Sequence, residues 1–136
     1  KKEYLALVEG EPRKNKFCID EPIGILNGSK RGIGDQLKNA KPAKTEIEWL
    51  SSKDGMSLLK VIPISGRTNQ IRIHLSSYGL PIYNDKVYGK GNDESFQYGL
   101  HAWTLNFQYL GRTMKFKVNP PSHFDPLLEE AKIKTQ

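Results

Sequence analysis

The chain has 136 residues and carries 21 lysines and arginines against 15 acidic residues, a formal charge of +6. That length suits one domain around one hydrophobic core, and the positive balance favours a polyanionic partner while also serving solubility. Cys18 is the single cysteine, which excludes an intrachain disulfide and a thiolate metal cluster, and no apolar run nears the ~18 residues of a membrane span, so a cytosolic protein is expected.

The opening stretch KKEYLALVEG enters an apolar run with no methionine, cap or linker before it, so the chain is expected to begin inside a longer protein. Tyr4 to Val8 is closed by Glu9-Gly10-Glu11-Pro12 and reads as a buried strand with Tyr4 at its opening end. Residues 11–43 hold Pro12, Pro22, Gly24, Gly28, Gly32, Gly34 and Pro42, and read as a long basic loop. One or two short strands are expected within it, around Phe17–Ile19 and Gly24–Leu26. From Thr45, TEIEWL alternates, Lys53-Asp54-Gly55 turns, and SLLKVIPI resumes, which predicts a β-hairpin with one buried face.

Ile71, Leu75 and Tyr78 recur at helical spacing, so a helix is expected over 69–78, capped by Thr68 and ended by Gly79. Beyond Pro81, GLHAWTLNF and TMKFKV predict two strands joined at Gly111-Arg112. The second sets Met114, Phe116 and Val118 against Lys115 and Lys117. SHFDPLLEEAKIKTQ predicts a short terminal helix opened by Asp125 and Pro126.

The stretch SGRTNQIRIHL packs Arg67, Asn69, Gln70, Arg72 and His74 beside a glycine turn. Alone, it fits either an anion site at a helix start or a solvated helix face. Its surroundings narrow the choice, because it resembles the GR-[TS]-H-Q-[IL]-R-V-H segment of the RluA-type pseudouridine synthases. KKEYLALVEG is similar to that family's K-x-Y-x-A-x-V-x-G strand, and AKPAKT to its G/A-K-x-A-x-T segment. GLPIYNDKVYG and GLHAWTLNF follow in the family's order and resemble G-x-P-I-x-G-D-x-x-Y-G and L-H-A-x-x-L-x-F.

The resemblance implies an α+β fold, a bent and mainly antiparallel mixed sheet with short helices, of which residues 1–136 supply the C-terminal part. It implies isomerisation of uridine in ribosomal or transfer RNA: the N1–C1′ bond is cut, the base turned and rejoined through C5, with no cofactor or metal. By resemblance, Arg72 pairs with the catalytic aspartate, Tyr4 lies against the uracil, and Leu100 packs near the target base. Arg67 and Gln70 reach RNA phosphate or hold the loop, and Lys41 does the same across the rim. His101 and Asp85 are expected to be structural.

Two departures qualify this reading. Asn69 stands where the family has histidine, and the nucleophile segment H-R-[LI]-D-x-x-[TS]-S-G does not occur in the 136 residues. The chain alone is therefore expected to be inactive. Self-association through open sheet edges is expected of a partial domain. A non-catalytic RNA-binding module of the same fold and an unrelated basic β-domain that binds proteins remain as alternatives.

Overall fold

Leu5, Ala6, Leu7 and Val8 run without a polar interruption, and such a strand is stable only with both faces covered. In the computed structural model, which describes residues 2–89, 100–109 and 112–117, β1 (Lys2–Glu9) is covered in this way. Ala6 and Val8 join one apolar cluster with Leu59, Val61, Leu75 and Ile82, while Leu5 and Leu7 join another with Leu58.

The strand lies inside a six-stranded sheet. Its order is β2 (Lys16–Asp20), β6 (Lys44–Lys53), β7 (Met56–Pro63), β1, β8 (Leu100–Tyr109) and β9 (Arg112–Lys117). Tyr4 stands opposite Val61 on one side and Ala102 on the other, with a bulge between Glu3 and Tyr4 on the β8 side. The expected hairpin is β6–β7, and its turn has positive φ at both Asp54 (54°) and Gly55 (78°), the geometry that matches strand twist. Every pairing among the described strands is antiparallel.

Residues 11–43 depart from the expected long loop. They hold the two expected strands, β2 over Phe17–Ile19 and β3 (Ile23–Asn27) over Gly24–Leu26, and β3 is the centre of a separate three-stranded sheet ordered β4 (Lys30–Ile33), β3, β5 (Lys38–Lys41). The sequences KRGI and KNAK of β4 and β5 contain no fully buried residue, so hydrophobic alternation could not announce them. Backbone pairing and one glycine hold the sheet instead. A Cβ on Gly24 would sit 2.7 Å from Leu37 Cβ and 3.0 Å from the Lys38 carbonyl oxygen, so only glycine lets this segment close over β3.

Helix α1 (Gln70–Ser77) sits between the two sheets. Ile71 and Leu75 enter the large sheet's cluster, and Ile73 packs with Ile23 and Ala43 on the side of the small one. Its N-cap is Asn69 in the left-handed region (φ 56°), not Thr68, and Asn69 makes no side-chain cap bond because its carbonyl oxygen accepts from Arg72. The other end is as expected. Gly79 has φ 86°, its N–H donates to the Ser76 carbonyl at 3.1 Å, and the Leu80 N–H donates to the Leu75 carbonyl at 2.9 Å. Leu75 and Leu80 then meet in one cluster, completing a Schellman ending.

β8 and β9 form the two expected later strands. Val118, the burial of the Met114 and Phe116 side chains, and the terminal helix over SHFDPLLEEAKIKTQ lie outside what the structure describes. Gly24→Ala should lower stability by about 2 kcal/mol through overpacking against β5. Urea unfolding checks this, and an unchanged midpoint would show that β5 is not held against β3.

Candidate functional site

Strand alternation places Tyr4 on the face of β1 that carries Ala6 and Val8, and Leu100 stands opposite Ala6 at the start of β8. The connection from β7 into α1 faces them. A cavity of about 530 Å³ lies between, lined by Tyr4, Leu100, Arg67, Gln70 and Arg72, with Lys2 at its edge. Five of the six residues singled out from the sequence therefore converge on one place. Lys41 lines a neighbouring groove with Arg31 and Arg67. Lys2 was not foreseen, although alternation with Tyr4 along β1 would have found it.

Arg72 is held from several sides. Its Nε donates to Asp85 Oδ2 and its Nη2 to Asp85 Oδ1, both at 2.8 Å, and Nη1 donates to Asn69 Oδ1 at 3.1 Å. Its Cζ lies 5.1 Å from the centre of the Tyr88 ring. Among the described residues the carboxylate gripped by Arg72 is thus Asp85, from the YNDKVYG segment. Asp85 is 1% exposed, and its Oδ1 also accepts from the backbone N–H groups of Val87 and Tyr88. With both oxygens engaged inside the fold, Asp85 acts as an anchor. Burial pushes its carboxyl up, but the hydrogen bonds from Arg72, then those from Tyr88 and Val87, and the Arg72 charge outweigh it and hold the group below its usual value.

Gln70 serves the loop. Its Oε1 accepts from Ser65 Oγ (2.7 Å) and the Arg67 N–H (3.1 Å), and its Nε2 donates to the Lys44 carbonyl (2.8 Å) and to Thr45 Oγ1 (2.9 Å). Of the two roles expected for Gln70, this geometry supports holding the loop. The chain of bonds continues inward, because Thr45 Oγ1, having accepted from Gln70, donates to His74 Nδ1 at 2.7 Å. His74 Nε2 donates to the Glu21 carbonyl at 2.9 Å, and this pattern is that of the neutral imidazole, the form that burial favours. His74 is fully buried, and burial depresses its pKa against the weaker opposing effects of the Glu21 carbonyl and the Glu21 and Asp20 charges.

The family profile described as RNA pseudouridylate synthase matches residues 1–77. The chain belongs to this family. An uncharacterized RNA pseudouridine synthase of Zymomonas mobilis is 38% identical over 115 residues, covering 81% of this chain and 52% of that protein. The ribosomal large subunit pseudouridine synthase D of Nitrosomonas europaea is 33% identical over 120 residues, covering 80% of this chain and 34% of its own. The solved structure of human RNA pseudouridylate synthase domain containing 1 superposes with a TM-score of 0.79 at 29% identity, covering 93% of this chain and 56% of that one. The chain spans about half the length of the first curated relatives it matches.

Both titrating groups make stability fall with acid. His74 has a depressed folded pKa, so its contribution is complete above the unfolded value of about 6.5 and is lost as pH falls through the folded value. Asp85 behaves likewise from about pH 4 downward. Urea midpoints measured across pH should therefore drop in two stages. Asp85→Asn should flatten the second stage and cost about 3 kcal/mol at neutral pH, because Arg72 loses its partner.

Proposed function

We propose that the domain to which this chain contributes isomerises uridine to pseudouridine in ribosomal or transfer RNA. The observation that carries the reading is the convergence of Tyr4, Arg72 and Leu100, from three separate elements, on one cavity. Its volume of about 530 Å³ lies within the range of small-ligand pockets. A nucleotide taken out of its stack needs an aromatic face and an apolar wall, and Tyr4 and Leu100 supply them. Tyr4 also carries a phenol for proton movement at C5.

Breaking N1–C1′ and forming C5–C1′ requires one proton to leave C5 and one to be taken up at N1, so the product is an isomer of the substrate. The reaction needs an ionised carboxylate beside the ribose. Arg72, at the cavity wall, is the cation that would align it, with Asp85 setting the guanidinium's orientation. The family's aspartate segment does not occur among the 136 residues, so the chain by itself should bind RNA without turnover. The engagement of Arg72 by Asp85 also favours a second reading, an RNA-binding module without chemistry.

RNA labelled with tritium at uridine C5 separates the two. The chain alone should release no tritium, and the chain joined to an upstream Arg-Leu-Asp segment should release it. Binding with no release from the joined form would establish the second reading. In the joined form, Arg72→Lys should cut the rate at least about tenfold, since a lysine cannot reproduce the planar fork. Self-association through the sheet edges at β2 or β9 is proposed for the chain alone. Light scattering across a concentration series should show a rising mass, and a constant monomer mass would refute it.

A further inference from the structure

The formal charge of +6 is unevenly placed. A groove of about 560 Å³ runs between the small sheet and the β7–α1 connection, lined by Ile23, Ile25, Arg31, Lys41, Arg67 and Thr68 among others, with no carboxylate among the described residues of its lining. Other clefts differ. One on β2 and β6 sets Lys16 and Lys60 against Glu46 and Glu48, and another beside Tyr78 carries Asp20 and Glu21. Cationic excess is thus shared by this groove and the cavity that holds Tyr4 and Arg72, and not by the other two clefts.

The groove adjoins the cavity that holds Tyr4 and Arg72, because Gly66 and Arg67 line both. Arg67 is fixed at this seam by its Nε, which donates to the Pro42 carbonyl at 2.9 Å. Arg31 has a different constraint. Its backbone N–H donates to Tyr88 Oη at 3.2 Å, while its side-chain Nε is buried and has no hydrogen-bond partner among the described residues. A buried guanidinium nitrogen without an acceptor is costly, so what Arg31 offers the groove is its charge and the rest of its guanidinium.

We propose that this groove carries the phosphodiester backbone of the RNA strand flanking the nucleotide in the cavity, with Arg31, Lys41 and Arg67 binding its phosphates. The inference rests on the RNA reading given above and adds a strand path to it. Ile23 and Ile25 supply an apolar wall along which a sugar can lie, and the seam at Arg67 is where the strand leaves the cavity. These cations read charge and not base, so they add affinity and register without sequence preference.

Anisotropy titrations of the full chain test this with a labelled uridine trinucleotide and a single strand of about 12 nucleotides with one central uridine. The longer RNA should bind more tightly. Arg31→Gln with Lys41→Gln should weaken it about tenfold and make its salt dependence shallower by about 0.7 for each phosphate left unneutralised, with the trinucleotide unaffected. Lys41→Gln alone, at an exposed position, should move the same readouts in the same direction without risk to folding. Lys53→Gln, at the far hairpin turn, should change neither.

Equal weakening of both RNAs, an effect matched by Lys53→Gln, no advantage of the longer strand, or equal competition by polyglutamate would each overturn the groove. Replacing the central uridine by cytidine separates the two claims. Lost uridine preference with the length and salt responses intact would count against the uridine reading and leave the groove standing.

Discussion

An eight-residue helix does not hold itself together in water, and α1 is fixed by what its two buried polar residues grip. Gln70 reaches β6 through Lys44 and Thr45, and His74 continues the same chain of hydrogen bonds from Thr45 to Glu21, which leads into the small sheet. Each link is satisfied at both ends. That condition separates a polar core element that specifies one arrangement from one that merely costs desolvation. The helix is therefore set in rotation and depth, and the wall of the cavity is set with it.

Arg72 shows how that rigidity is used at the site. Its side chain is 18% exposed and its pair with Asp85 is buried on the carboxylate side, so the guanidinium is fixed by a two-point fork. Tyr88 lies against the Arg72 guanidinium by its ring and accepts from the Arg31 backbone N–H by its hydroxyl, so one residue links the cation of the cavity to the strand that carries a cation of the groove. Gly89 makes the turn behind it possible. A Cβ there would lie 3.0 Å from the Asp85 carbonyl oxygen and 3.2 Å from that of Ile82. The YNDKVYG segment thus positions charge that other elements present to a ligand.

The central strand, the hairpin and the short helix were legible from the sequence because each has a periodic apolar signal: Leu5 to Val8, Ile47 against Leu59 and Val61, Ile71 with Leu75. Of the small sheet only β3, expected around Gly24–Leu26, was legible; β4 and β5 were not, since Lys30 to Ile33 and Lys38 to Lys41 bury almost nothing and depend on pairing across a glycine. The convergence of Tyr4, Arg72 and Leu100 was readable only through resemblance, because no local pattern ties positions so far apart in the chain. The partner of Arg72 was out of reach for the same reason. Asp85 is 13 residues away, and nothing in its spacing says that a turn will return it to the helix.

The placement of charge follows from the same architecture. Cations lining a concave surface raise the local potential more than the same number scattered over a convex one, because low-dielectric walls concentrate the field. Lys2, Arg67 and Arg72 border one cavity, and Arg31, Lys41 and Arg67 border the next, with no carboxylate among the described residues of either lining. Asp85 neutralises much of Arg72 at short range, so the field over the two cavities falls mainly to Lys2, Arg31, Lys41 and Arg67. These four are carried by β1, β4, β5 and the β7–α1 connection, elements from both sheets and the link between them. A polyanion laid across them would touch both sheets at once, and its affinity would depend on the small sheet staying docked on α1 through Ile73, Ile23 and Ala43.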